Sequence, residues 1–374
     1  MRKLCQELGH TTFSVHGDEA CLDGVPSKTL NGKPRGLGRV LQACLPKKTR
    51  VRWRESLAQK NLDKLLGQNS FDFIWYQNTA GAAKWGWSDA WIQHTLVKHQ
   101  VVVTLHDMYY LGVGDSYVWE RPLVANRFAG MEGLTAARWI GQGRLFINAC
   151  SSWLESLCQE LYGVSCGQLT VPLWPEDFCS QPRRRTDSKK VTYLMAADFL
   201  GDKRKNILPT LECLVGNKIL EATNSHILCL GRGTPEKMKH VPGISFLGHL
   251  EDPQEYRSLY DRFDYLLHPS LLDNFPLLIQ ESLAQGRPVL ALDRGGVSEL
   301  VQLGNTGILL KEISVEALLP VFRRLAGLKP DQYAKESQRA CTFARTMYSA
   351  SRCRSQYGKY IKTIQSLSAG APRL

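Results

Sequence analysis

His268-Pro269-Ser270-Leu271-Leu272-Asp273-Asn274-Phe275-Pro276-Leu277-Leu278-Ile279-Gln280-Glu281-Ser282-Leu283-Ala284-Gln285-Gly286-Arg287-Pro288-Val289-Leu290 reads as a strand end, a short loop, a helix, a Gly-Arg-Pro turn and a second strand. A helix that opens after loop residues 273–276 presents backbone N–H groups with no carbonyl partner, a ready site for phosphate. Asp273 and Glu281 lie about two helical turns apart. One carboxylate therefore stands at the helix mouth and the other further along the same side.

On either side of this stretch, short apolar or β-branched runs alternate with longer amphipathic segments, as in a βαβ fold. The candidate strands are 12–15, 73–76, 101–105, 145–149 and 169–171, then 191–195, 226–230, 244–247, 265–267, 289–292 and 307–310. Several are apolar throughout, as parallel strands covered on both faces are. Proline, charge and lack of periodicity mark 173–190 as a linker. The expected division is a Rossmann-like domain over 1–172, that linker, a second Rossmann-like domain over 191–345, and a C-terminal helix over 346–374 returning to the first. Two doubly wound domains joined by one hinge hold ligands in the cleft between their strand ends.

Composition sets further bounds. No apolar run approaches the roughly 20 residues that cross a bilayer, and the N-terminus lacks the pattern of a signal peptide. A cytoplasmic protein is expected, peripheral at the inner face of the cell membrane. Eleven cysteines are scattered with no Cys-x-x-Cys spacing, the pattern of reduced, buried thiols. A net charge of +12 calls for an anionic partner, with basic clusters at Lys47–Arg54, at Arg183 to Lys190 and at Lys203 to Lys205. No zinc-finger, RNP or basic-zipper signature accompanies the charge, so no nucleic acid is expected.

The opening stretch resembles the signature of glycosyltransferase family 4: an acidic residue, seven intervening residues, a glutamate, and then a Gly-x-Pro-Val turn, here Gly286 to Val289. The likeness continues through Arg294-Gly295-Gly296-Val297-Ser298-Glu299-Leu300-Val301 and Gly304-Asn305-Thr306-Gly307-Ile308-Leu309-Leu310. It reaches back to Leu230-Gly231-Arg232-Gly233 and Phe246-Leu247-Gly248-His249-Leu250. So long an ordered series is more specific than a lone glycine motif. The resemblance implies an α/β GT-B fold: two Rossmann-like doubly wound domains facing across a cleft, an acceptor-side domain and then a nucleotide-sugar-binding domain. Members of the family usually begin with a strand and a Gly-Gly loop. Residues 4–10 resemble the end of the helix that follows these, and 12–15 the second strand. The first domain is thus expected to lack its first strand, either because the recorded start lies inside the gene or because this is a divergent member.

The same resemblance implies roles for particular residues. Glu281 would accept hydrogen bonds from the ribose hydroxyls, and Asp273, where the family usually has glutamate, would bind donor-sugar hydroxyls. Asn274 and Phe275 would lie at the donor, although Pro276 has no N–H to give. The amides of Leu277 and Leu278 would meet the diphosphate, and Gly248 and His249 would cradle the base. Lys205 matches a family lysine that neutralises the diphosphate. Asp198 stands where an arginine is usual, so Lys203 or Arg204 would supply the second cation. His106, in the polar pair His106-Asp107 at the end of an apolar strand, would lie near the donor sugar. Trp75, Trp85, Trp87 and Trp91 are candidates for an acceptor groove, with core packing as the alternative.

The expected reaction is retaining transfer of a sugar from a nucleoside-diphosphate sugar to a hydroxyl of a saccharide or lipid-linked saccharide. The branch resembles bacterial enzymes of surface-polysaccharide synthesis. No cofactor and no essential metal are expected, since no aspartate cluster typical of a metal-bridged diphosphate is present. The rivals are a degenerate, non-catalytic nucleotide-sugar binder, and a GT-B enzyme of another reaction type such as an epimerase or a phosphorylase.

Overall fold

A computed structural model describes residues 2–9, 13–16, 19–22, 25–27, 47–68, 71–77, 90–111, 117–118, 127–128, 131–185 and 190–369. The chain divides into two units, Met1–Val171 with Cys353–Leu374, and Pro172–Arg352.

The first unit opens on α1 (Arg2–Glu7) and an antiparallel sheet of β1 (Phe13–His16), β2 (Glu19–Leu22) and β3 (Val25–Ser27). The sequence predicts 12–15 as a strand of the doubly wound sheet. Instead β1 pairs with β2, His16 opposite Glu19, and β2 with β3, Leu22 opposite Val25. The dipeptides between these partners, Gly17-Asp18 and Asp23-Gly24, carry the chemistry of two-residue hairpins. That local signal outweighs the apolar run.

There follow α2 (Lys47–Gln68), β4 (Ile74–Tyr76), α3 (Ala90–Leu96), β5 (Val101–Leu105), a small hairpin of β6 (Arg127–Phe128) and β7 (Met131–Glu132), α4 (Gly133–Gly141), β8 (Leu145–Ala149), α5 (Ser152–Tyr162) and β9 (Gly167–Gln168). The strands β4-β5-β8-β9 form a parallel sheet in that order. Every residue of β5 is buried, which is why its sequence carries no alternation. Ser151 caps α5, its hydroxyl accepting from the Leu154 amide at 3.2 Å.

The second unit runs β10 (Val191–Phe199), a 3-10 turn (Lys203–Lys205), α6 (Ile207–Gly216), α7 (Ile219–Ala222), β11 (Ser225–Arg232), β12 (Ile244–Gly248), α8 (Pro253–Leu259), β13 (Tyr265–His268), α9 (Leu277–Ala284), β14 (Val289–Leu292), α10 (Val297–Gln302), β15 (Gly307–Leu310), α11 (Val315–Ala326) and α12 (Pro330–Tyr348), and the chain ends on α13 (Ala350–Ala369). Its sheet is parallel throughout, in the order β12-β11-β10-β13-β14-β15. Numbered within the unit that order is 3-2-1-4-5-6, the doubly wound dinucleotide-binding arrangement. One face buries Tyr193, Leu211, Ile227, Leu267 and Phe322, and the other Leu194, Leu266, Ile279 and Leu300.

From Cys353 onward α13 groups with the first unit. Cys353 and Tyr357 share a core with Leu4 and Leu169, and the Tyr357 ring stacks on Trp75 at 6.0 Å. The Trp75 indole donates to Thr104 Oγ1 at 2.8 Å, and Trp91 is 2% exposed. Both are packing residues, so the acceptor-groove expectation does not hold for them; Trp85 and Trp87 lie outside the described residues. The expected linker also differs. Arg185 is buried and donates to the carbonyls of Leu325 and Leu328, and Leu173 bridges to Ser349, so residues 173–185 are laid along the second unit.

Phe322 is fully buried and stacks on Tyr193 at 4.3 Å. Phe322→Ala should cost about 3–5 kcal/mol of second-unit stability. A urea midpoint equal to that of the parent chain would mean that this stack does not carry the core.

Candidate functional site

Strand order reverses between β10 and β13, and open α/β sheets bind ligands outside the carboxyl ends of the strands at such a point. Beyond β10 the chain makes the 3-10 turn, capped by Asp202, whose carboxylate accepts from the Arg204 amide at 2.9 Å. Beyond β13 it enters the loop that carries Asp273. The two are latched together: the Leu271 amide donates to the Arg204 carbonyl at 2.8 Å, and the Ser270 hydroxyl to the same oxygen at 3.3 Å.

Asp273 is 5% exposed. Lys205 Nζ lies 2.6 Å from its Oδ2 and Arg204 Nη1 lies 3.3 Å from its Oδ1. Ser270 Oγ donates to Oδ2 at 3.3 Å, and His268 Nε2 is also 3.3 Å away. Burial by itself would raise this carboxyl, but His268, Lys205 and Arg204 outweigh it and hold Asp273 far below the usual carboxylate range. Burial, helped by the charges of Lys205 and Arg204, lowers the His268 imidazole against the hydrogen bond and charge of Asp273. The Asp273 backbone is gripped from behind: Gly296 N–H donates to its carbonyl at 3.0 Å, and a Cβ on Gly295 would stand 2.3 Å from that oxygen. Gly295, at φ +62°, meets both constraints.

Helix α9 starts four residues after Asp273. Its N-cap is Pro276, with no side-chain cap, and Leu277 is 49% exposed, so the first turn faces solvent. The amides of Leu277 and Leu278 occupy positions with no intrahelical acceptor. Asn274 is fully buried, and the Phe275 ring meets Tyr348 edge-on at 5.8 Å. One turn into α9, Glu281 Oε2 accepts from Tyr256 Oη at 2.8 Å and Tyr260 Oη at 2.9 Å. Burial raises the Glu281 carboxyl, while the two phenols pull it back down.

The structure thus brings Lys203, Arg204, Lys205, Asp273, Asn274, Phe275, Leu277, Leu278 and Glu281 to one end of the sheet. Lys203 is exposed, whereas Arg204 and Lys205 are spent on Asp273. Gly248, at φ +73° with open space around it, and the exposed His249 follow β12, the outer strand two removed from β10. Asp198 forms an exposed ion pair with Arg232 at 2.6 Å. Sequence reading missed His268, Ser270, Tyr256 and Tyr260. The tyrosines had a signal, their four-residue spacing along a helix face.

His106 belongs to the first unit, just past the end of β5. Its Nε2 is 3.0 Å from Gln77 Oε1 and its Nδ1 is 3.6 Å from Cys150 Sγ. These partners follow β4 and β8, the strands on either side. Burial lowers the imidazole pKa.

The depressed pKa of Asp273 stabilises the fold above the ordinary value of 3.8, and that stability is lost as pH falls below it. Asp273→Asn should cost about 3 kcal/mol at pH 7, the low end for a broken buried pair, because Lys205 keeps 21% of its side chain exposed. Its urea midpoint should also fall less than the parent's between pH 6 and pH 3. Parallel pH profiles would mean that the carboxylate is not ion-paired.

Residues 192–326 match the family model described as glycosyl transferases group 1. No curated protein matches the chain. Among solved structures, a sucrose-phosphate synthase from Thermosynechococcus elongatus is similar at 15% identity over 98% of this chain and 92% of that one, with a TM-score of 0.66. A glycosyltransferase from Rickettsia africae is similar at 14% identity over 87% and 84%, with a TM-score of 0.61. Anabaena HepE, solved in complex with UDP and glucose, is similar at 14% identity over 82% and 83%, with a TM-score of 0.58. At such identities the likeness speaks to the fold, two parallel α/β sheets of four and six strands. The chain therefore has the GT-B fold, and its match to the group 1 glycosyl transferase model lies within the second unit.

Proposed function

We propose that this protein transfers a sugar, with retention at the anomeric carbon, from a nucleoside-diphosphate sugar to a hydroxyl acceptor, in the manner of glycosyltransferase family 4. The observation that carries the reading is the grouping at the switch point: an open helix start at Leu277, a held glutamate one turn on, and two cations locked on a buried aspartate beside it. In this reading the diphosphate lies against the amides of Leu277 and Leu278, and the ribose hydroxyls donate to Glu281. Tyr256 and Tyr260 fix the orientation of that carboxylate. As the glycosidic bond breaks, the leaving diphosphate gains charge, which the helix start, Lys205 and Arg204 stabilise. Gly248 and His249 cradle the base. These groups supply the neutralising charge, so no divalent ion or other cofactor is required.

Complexes of HepE with UDP and UDP-glucose favour a uridine nucleotide as the first donor to test. The acceptor proposed is a saccharide or lipid-linked saccharide of surface-polysaccharide synthesis, reached from the cytoplasmic side. Net charge supports peripheral contact with an anionic leaflet. Of the basic cluster at Arg183 to Lys190, Arg185 is buried and Arg183 pairs with Asp261, so neither is free for such a contact. Among the described residues no helix is long and apolar enough to cross a membrane. The rival reading, a binder without transfer, draws on the engagement of Lys205 and Arg204 by Asp273.

A donor nucleotide at about a hundred times its dissociation constant should add about 2.7 kcal/mol to stability, a clear rise in melting temperature. Glu281→Ala should abolish that rise while leaving the unliganded melting point within a few degrees. If no nucleoside diphosphate or its sugar shifts the parent chain, the donor reading is wrong. A shift without product on any acceptor extract, scored by mass spectrometry, selects the rival. Turnover should survive EDTA, and His106→Ala with full turnover would remove that histidine, whose role rests on the resemblance.

A further inference from the structure

Cys179 lies in the segment just after the 3-10 turn Pro175–Asp177, and Cys341 is on α12. Their sulfurs are 3.2 Å apart, with the Cys179 thiol donating, although 162 residues separate them in sequence. Both are free thiols, each 6% exposed. Both nonetheless line a cavity of about 260 Å³, together with Ser180, Gln338, Thr342 and Arg345. Arg345, one turn beyond Cys341, donates to the Cys179 carbonyl and stacks on Phe178 at 5.6 Å.

We propose that Cys179 and Cys341 form a peroxide-sensitive dithiol that closes reversibly to a disulfide. The two sulfurs are already in contact, face a solvent-sized cavity, and sit beside a guanidinium that favours a thiolate. The hydrogen bond from Cys179 lowers Cys341 against the effect of burial, and Arg345 adds to it; the same contact, with burial, raises Cys179. With the Cys179 thiol donating to its sulfur and Arg345 one helical turn beyond it, Cys341 is the nucleophile and Cys179 the resolving thiol. The Cys341 sulfur attacks one oxygen of hydrogen peroxide, the O–O bond breaks, and the departing hydroxide takes up a proton to leave as water. The sulfur is now a sulfenic acid. The Cys179 sulfur attacks it, the S–S bond forms, the S–O bond breaks, and the hydroxyl leaves as water with the Cys179 proton. In sum two thiols and one peroxide give one disulfide and two waters. Closure from 3.2 Å to a bond of about 2.05 Å needs a movement of about 1 Å.

Among the described residues other cysteines lack this environment. Cys158 and Cys166 are also neighbours, but that contact, burial and the charge of Glu155 all raise Cys166. Cys213 is half-buried, and burial and Glu316 raise it. These serve as internal controls.

The test treats the full chain with equimolar hydrogen peroxide, then alkylates under denaturing conditions and maps the peptides by mass spectrometry. The expected product is a Cys179–Cys341 cross-linked peptide about 2 Da lighter than its reduced parts and reversed by dithiothreitol. It should form about tenfold faster than Cys213, Cys158 or Cys166 is lost. In Cys179→Ser, dimedone should trap a sulfenic acid on Cys341. Both thiols remaining alkylatable after Cys213 has been oxidised would overturn the proposal, as would a Cys158–Cys166 disulfide forming first. The readout is mass, so it stands or falls independently of the donor reading.

Discussion

An aspartate placed almost out of water at the switch point of a parallel sheet is unstable as an anion unless cations come with it. Asp273 brings two, and both come from one short turn, Lys203–Lys205, at the end of a different strand. The pairing therefore fixes more than a charge. It holds the β10 end against the β13 end, with the Leu271 amide and the Ser270 hydroxyl closing on the Arg204 carbonyl. The loop between Asp273 and Pro276 inherits its course from that anchor, and so does the direction in which α9 begins. Glycines complete it, because only a residue without a side chain can pass as close to the Asp273 carbonyl as Gly295 does.

A second, weaker constraint acts one turn along α9. Glu281 is raised by burial, and it is held as an acceptor by two phenols that come from α8 and its C-cap. The carboxylate at the helix mouth is thus strongly anionic and internally neutralised, while the one beyond it is only lightly held. The pair that looks equivalent in sequence is electrostatically divided. Such a division suits an arrangement in which one acid organises cations and the other meets a ligand.

Sequence legibility follows the same physics. Strands such as 227–230 and 289–292 are apolar because both faces are covered, and that pattern survives without knowledge of partners. The loop-to-helix stretch was legible because glycine, proline and acid fall in an order that few local structures share. Two kinds of reading failed, one where a local hairpin overrode an apolar run and one where the outcome depended on distant neighbours. Residues 12–15 look like a buried strand but pair locally. The charged, proline-rich segment 173–190 reads as a tether, yet Arg185 is buried because carbonyls of Leu325 and Leu328 wait for it. No local property of an arginine announces that. Tyr256 and Tyr260 gave only a partial signal: their spacing shows a shared helix face, but only the fold puts Glu281 opposite.

The engagement of Lys205 and Arg204 bears on how a polyanion could be met there. Asp273 contributes one negative charge against the two positive ones of Lys205 and Arg204, so the cluster retains a net positive charge while its parts are fixed. An ammonium carries three donors and a guanidinium five, and a single aspartate cannot saturate both. Side-chain exposures of 21% for Lys205 and 16% for Arg204, against 7% for Asp273, place the cations on the solvent side of the pair. Flexible cations facing open solvent would have to be ordered by the ligand at an entropic cost. Here the aspartate has already ordered them, so the ion pair is better read as preorganisation of the positive charge than as its cancellation.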